Sequence, residues 1–181
     1  EPNASDMTLF YPELGVYGAS VQGNLLGGIV SLEGGYYDFV NDRDGNNPFV
    51  ENPQARFLAG YQRAFGADLT IGAQYYGEAI LKYDEYEKTL PQGFPKRDQI
   101  RHNITLRLMQ FFKYQTLRLA LFAWVSPNDE DYFINPEIRY SLTDELWAAL
   151  GGNLFGGTEN YTFFGQFDEN DNLYLQVQYG F

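Results

Sequence analysis

The sequence predicts an all-β chain, an antiparallel transmembrane β-barrel with about nine strands in view. Three observations lead there. Apolar and polar residues alternate with a period of two, short and long connections alternate, and aromatic residues gather near segment ends. A period of two puts successive side chains on opposite faces of a strand, so each segment has one apolar and one polar surface.

The bulk composition narrows the classes. A chain of 181 residues suits one domain, and residues 1–181 are expected to form a single barrel domain or the C-terminal part of one. Hydrophobic residues make up 44%, yet the mean hydropathy is −0.39. No run approaches the roughly 20 apolar residues of a membrane helix. A membrane reading therefore requires a barrel, because in lipid only helices and closed barrels satisfy every backbone polar group. Aromatics reach 18%, with 15 Tyr and 15 Phe, more than a soluble core of this size needs. A net charge of −12 has the wrong sign for a nucleic-acid partner. The absence of cysteine excludes disulfides and thiolate metal sites. The chain begins at Glu1 with no secretory signal, which is compatible with a mature chain, a cleaved fragment or an edited one.

Nine alternating segments follow in order: residues 15–23, 29–39, 56–64, 69–81, 99–111, 116–125, 132–142, 146–155 and 173–181. No segment reads as a helix. The connections 24–27, 65–68, 112–115 and 143–145 are short turns, and between them lie the longer polar stretches 40–55, 82–98, 126–131 and 156–172. Outer-membrane barrels have this asymmetry, with short periplasmic turns and long outer loops. In the fifth segment Ile104, Leu106 and Leu108 oppose Arg101, Asn103, Thr105 and Arg107. In the sixth, Leu117, Leu119, Leu121, Ala123 and Val125 oppose Thr116 and Arg118; in the seventh, Ile134, Ile138 and Tyr140 oppose Asn135, Glu137 and Arg139. The apolar face lacks the interlocking large side chains of a packed core. Tyr36, Tyr37, Phe39, Tyr75, Tyr76, Phe111, Phe112, Trp124, Tyr140, Trp147, Tyr174 and Tyr179 sit near segment ends, where they are expected to form aromatic girdles at the two headgroup boundaries.

The chain closes on Leu173-Tyr174-Leu175-Gln176-Val177-Gln178-Tyr179-Gly180-Phe181, with Leu173, Leu175, Val177, Tyr179 and Phe181 on one face. This resembles the terminal strand of Gram-negative outer-membrane β-barrel proteins of the porin-like kind. The resemblance covers the chain as a pattern and the last nine residues as a motif. It implies that Tyr179 and Phe181 belong to a signal read by the barrel-assembly machinery of the outer membrane. It also likens the stretch from Phe164 to Asn172 to the last loop of a large barrel, and it implies a bacterial outer-membrane location among lipid and lipopolysaccharide.

The last strand should end on the periplasmic side. Counting back nine strands then starts the first on the outer side, whereas a single-chain bacterial barrel has an even number. The chain is therefore expected to be the C-terminal part of a larger barrel. A complete eight- or ten-stranded barrel and a barrel shared between copies stay open as alternatives. Thr8 to Tyr11 is a candidate for one more strand.

The candidate pore-lining residues are Arg56, Arg101, Arg107, Arg118, Arg139, Glu33, Glu78 and Glu137. Ser20, Gln22, Gln62, Gln74, Asn103, Asn135, Asn153, Gln176 and Gln178 share their face. In a wide bore such charges bias ion passage; in a narrow one they pair across the interior as a structural network. The arginines are expected to form a positive wall that favours anionic solutes. Tyr83 and Tyr86 are candidates for a constriction folding inward. His102, the single histidine, falls on the apolar parity with no serine within two residues, so it reads as interfacial and not as a base. Asn41-Asp42-Arg43-Asp44-Gly45-Asn46-Asn47 resembles the start of a calcium loop, but Asn47 and Pro53 stand where Gly and Glu are required, so it reads as a solvated turn.

The expected function is passive passage of small hydrophilic solutes, without catalysis, metal or cofactor. The alternative is a structural barrel that sheathes or anchors a partner protein, such as a cytochrome or a secretion component, or that assembles as a homo-oligomer. A lipid-modifying enzyme ranks below both.

Overall fold

A computed structural model describes residues 10–181. The period-two segments become nine strands: β1 (Leu14–Leu25), β2 (Gly28–Phe39), β3 (Gln54–Phe65), β4 (Leu69–Ile80), β5 (Ile100–Phe112), β6 (Leu117–Ser126), β7 (Asp131–Ser141), β8 (Leu146–Gly157) and β9 (Asn172–Tyr179). They pair antiparallel in chain order to form one sheet. β1, β2, β3 and β8 run one or two residues beyond the expected bounds at an end, β5, β6 and β7 are shifted by one, and β4 and β9 end one and two residues early. The candidate strand at Thr8 to Tyr11 lies outside the described residues at Thr8 and Leu9, and Phe10 and Tyr11 are not in a strand.

The sheet is not closed. β1 and β9 are both edges, so the nine strands do not form the complete barrel that stood open as an alternative. The physical reason is direction. With nine strands each antiparallel to the next, β1 and β9 run the same way, so antiparallel pairing between them is impossible. Both edges carry unpaired backbone groups, and such edges call for a partner or protection.

The connections alternate between the two ends of the sheet. At one end Leu26 and Gly27 both take positive φ (49° and 77°), the two-residue hairpin geometry whose twist matches the strands it joins. At the same end Lys113, Tyr114 and Gln115 are three consecutive non-glycine residues with positive φ, at 49°, 56° and 67°. The other end carries the connections 40–53, 81–99, 127–130 and 158–171. The third is only a four-residue turn, shorter than expected, because β6 and β7 stay paired out to Ser126 and Asp131. Nor is this end wholly irregular. The helix α1 (Tyr83–Thr89) lies in the second loop, and single 3-10 turns occupy Val40–Asp42 and Gly165–Phe167. The seven residues of α1 make only about two turns, shorter than the stretch over which a helical period stands out, so the pattern did not reveal it.

The register sorts every strand residue to one of two faces. One face carries Val21, Leu32, Ala59, Ala73, Leu106, Leu119, Ile138, Leu150 and Leu175, and it is almost wholly apolar. It is uncovered by any other layer: Leu106 is 39% exposed, Leu150 51% and Leu175 74%. Among the described residues only Val50, Ile80, Tyr86 and Ala149 are buried hydrophobics. The opposite, polar face carries most of the charges and amides, together with Val16, Ile29, Leu58 and several aromatic rings.

On the apolar face Tyr17, Tyr36, Phe57, Tyr75 and Tyr132 lie toward the long loops, and Phe65, Phe112, Tyr140 and Tyr179 lie beside the short turns, with aliphatic residues between. The expected girdle set is corrected at seven of its twelve residues. Tyr37, Phe39, Tyr76, Phe111, Trp124, Trp147 and Tyr174 fall on the polar face, because neighbouring positions such as Tyr36 and Tyr37 point opposite ways. Some rings fill the space over cross-strand glycines. A Cβ added at Gly77 would meet the Phe57 ring at 2.2 Å, and one at Gly151 would meet the Tyr174 ring at 2.3 Å.

Candidate functional site

All eight expected site residues, Glu33, Arg56, Glu78, Arg101, Arg107, Arg118, Glu137 and Arg139, fall on the polar face. The amides and hydroxyls expected beside them fall there too. Period-two alternation is a local property of strand backbone, which is why the sequence exposed it.

Charge pairing on that face was not legible, because register decides it. Arg56 lies directly opposite Glu78, with Nε 3.3 Å from the carboxylate. The Arg56 guanidinium also donates to Gln54 Oε1 and sits 4.0 Å over the Tyr37 ring. Arg101 Nε donates to Asp129 at 2.6 Å, and Asp129 also accepts from Ser126 Oγ at 3.1 Å. Arg118 donates to Glu137 Oε1 at 2.5 Å, and Tyr174 Oη donates to the other oxygen at 3.0 Å. Arg139 stacks 3.9 Å over Trp147. The expected positive wall is thus corrected: three of its five arginines have acid partners and a fourth is held on an indole. Arg107 has neither an ion pair nor a hydrogen bond among the described residues.

An aromatic wall shares the face, and sequence reasoning assigned part of it elsewhere. Phe122, Trp124, Phe133 and Phe155 line up across β6, β7 and β8, with Phe122 and Phe133 rings 6.0 Å apart and Phe133 stacked on Phe155 at 5.0 Å. The loop 158–171 folds onto it. Phe164 stacks on Phe133 at 5.2 Å and meets Trp124 edge-on at 4.7 Å. The Phe164 N–H donates to Asp131 Oδ2 at 2.8 Å, while the other oxygen of this fully buried carboxylate has no partner. The signal was present as aromatic residues at polar-parity positions.

The second long loop is self-braced. Tyr86 is buried and its Oη accepts the Arg97 N–H at 3.0 Å; Tyr83 Oη donates to the Arg97 carbonyl at 2.6 Å. These tyrosines hold the returning limb of their own loop, which corrects the expectation of a constriction. Lys96 pairs with Glu87, and that hydrogen bond raises the lysine above its ordinary pKa. Between this loop and 158–171 opens a cleft of about 980 Å³, with Leu90, Phe94, Phe163 and Arg101 among its walls.

In the first loop Asp42 is buried and its carboxylate accepts the N–H groups of Asn46 and Asn47 at 3.1 and 2.7 Å, the geometry of a turn. Arg43 forms a two-pronged bond to Asp38, which raises the arginine pKa further. His102 lies on the apolar face, with Nδ1 2.5 Å from Tyr75 Oη and its ring stacked on that tyrosine. At the C-terminus Tyr179 is the last strand residue, on the apolar face; the Gly180 N–H still bonds the Glu145 carbonyl at 2.9 Å, and Phe181 is fully exposed.

Neither the protein-family models, nor the curated proteins, nor the solved structures compared with the chain give a match.

Proposed function

We propose that this sheet is a wall of a bacterial outer-membrane β-barrel that passes small hydrophilic solutes, with its apolar face against acyl chains and its polar face toward a wet lumen. The carrying observation is the inversion of burial: the continuous apolar face is the exposed one, and the charges sit opposite, apart from Asp38 and Arg63 near strand ends. A soluble protein rarely leaves more than a few hundred Å² of contiguous apolar surface in water. At about 25 cal/mol per Å² that surface strongly favours a hydrocarbon environment. The two aromatic bands with aliphatic residues between them fit two headgroup boundaries. No helix among the described residues is long and apolar enough to cross a membrane.

In this reading the eight charged residues line the bore, and the long loops face lipopolysaccharide. Tyr179 and Phe181 present the apolar ending that the assembly machinery reads. The parallel sense of β1 and β9 supports a larger barrel, closed by an odd number of further strands. A ring of copies would set β9 of one beside β1 of the next in parallel, so the odd complement of antiparallel strands is the better closure. The reading contains no catalytic step, since His102 points away from the carboxylates of the polar face.

A structural sleeve around a partner protein is the second reading, favoured by the ion pairs and aromatic contacts that knit the polar face. Two measurements separate the cases. The complete barrel that carries this sheet, folded in detergent, should run faster unheated than boiled, and in a planar bilayer it should give discrete conductance steps. Folded protein that stays in solution without detergent and runs identically after boiling overturns the membrane reading. Membrane-folded protein without steps favours the sleeve.

A further inference from the structure

We propose that the bay around Arg107 binds a small organic carboxylate with an aromatic body; this rests on the channel reading and names its solute class.

The argument starts from charge. Arg107 is the polar-face arginine left without a counter-charge or a stacking partner among the described residues, and it is exposed. Its cross-strand neighbours are Gly72 on β4 and Phe122 on β6. Gly72 and Gly60 bring no side chains to this part of the face, and a bay of about 190 Å³ opens there. Its polar walls include Gln22, Ser31, Gln62, Gln74 and Thr105, and no acidic residue lines it. Thr105 makes a long 3.4 Å bond to Gln74; Ser31 and Gln62 have no side-chain hydrogen bond among the described residues. Glu33 lies three strands away, in the cross-strand row that holds Asn103 and not Arg107.

This donor set has a definite complement. A planar guanidinium presents two parallel N–H groups that match a carboxylate bidentately. The flanking amides and hydroxyls solvate the same anion without neutralising the arginine. Phe122, the cross-strand partner of Arg107, lines the same bay and gives the organic part of the solute an aromatic contact, and aromatic pairs gain beyond simple burial. The wall of Phe133, Trp124 and Phe155 continues from Phe122 toward the long loops, so an aromatic body meets rings along its approach. Inorganic phosphate satisfies the guanidinium but leaves Phe122 and most of the bay unused. A dissociation constant on the order of 1 mM is expected, weak enough to let a solute leave again.

The test uses the full chain folded in detergent, titrated calorimetrically with benzoate, acetate, benzyl alcohol and inorganic phosphate. Benzoate should bind, acetate and phosphate at least fivefold more weakly, and benzyl alcohol not measurably. Arg107→Gln should weaken benzoate at least tenfold, and Arg107→Lys should restore part of the loss. Phe122→Leu should bring benzoate close to acetate. Equal benzoate affinity in Arg107→Gln and the parent, equal binding of benzyl alcohol, or no benzoate binding overturns the proposal. So does tighter binding of phosphate than of benzoate. Bilayer recordings keep the two readings apart. Conductance steps whose anion preference is unchanged by Arg107→Gln sink the site and leave the channel standing. Absent steps with Arg107-dependent benzoate binding sink the channel and leave the site.

Discussion

Glu137 offers the sharpest test of how the polar face is held together. Its carboxylate accepts from Arg118 at 2.5 Å and from Tyr174 at 3.0 Å, and its side chain is only 17% exposed. Register places Arg118 directly opposite Arg139, a like-charge cross-strand pair that is destabilising unless an anion intervenes. Glu137, two residues before Arg139 on the same face, is that anion. Glu137→Ala removes two hydrogen bonds to a charged group and leaves Arg118 facing Arg139, with the buried Arg118 Nε already lacking a partner. Hydrogen bonds to charged groups contribute about 1.5–3 kcal/mol, and partial exposure of the arginine discounts the upper end. The expected cost is about 3 kcal/mol. Glu137→Gln retains acceptor geometry and should cost about half as much. Removing both partners in Arg118→Ala/Glu137→Ala leaves no stranded charge, so the double variant should be more stable than the sum of the single losses by about 1–2 kcal/mol. Denaturant unfolding in micelles, followed by the fluorescence of Trp124 and Trp147, reads the parent, Glu137→Ala, Glu137→Gln, Arg118→Ala and the double variant. A Glu137→Ala loss under about 0.5 kcal/mol, or strict additivity in the double variant, would refute the reasoning.

The seat of the last long loop depends on Phe164, so Phe164→Ala should cost about 3 kcal/mol, in the range of a large-to-small aromatic loss, and speed proteolytic nicking within 158–171. Gly77→Ala must displace the Phe57 ring and should cost about 1–2 kcal/mol; unchanged unfolding would show that the ring swings away freely. Tyr114, fully exposed with φ 56°, loses no contact as glycine. Tyr114→Gly should stabilise by about 0.5–1 kcal/mol, the relief of left-handed strain less the added chain entropy. The Lys96–Glu87 contact in the second loop raises the lysine pKa, so its contribution is complete below the ordinary lysine value and is lost as pH rises through the raised one. Nζ resonances followed by NMR should titrate later for Lys96 than in Glu87→Gln.

Much of this molecule can be read in one dimension. Alternation alone located the nine strands and placed Glu33, Arg107, Glu137 and their companions on a common face, because side-chain direction along a strand depends only on the local backbone. Loop lengths separated the two ends of the sheet for the same reason: turns are local. Aromatics near strand ends were harder, since Tyr36 and Tyr37 are neighbours in sequence and opposites in space. What the tertiary structure decided was pairing. Register, set by the hairpin turns and by contacts between distant segments, brought Glu78 to Arg56 and Glu137 to Arg118, seated Phe164 on Phe133, and left Arg107 without a counter-charge. It also left β1 and β9 unpaired and running in the same direction. Those are long-range consequences of how strands meet, and no local pattern of residues contains them.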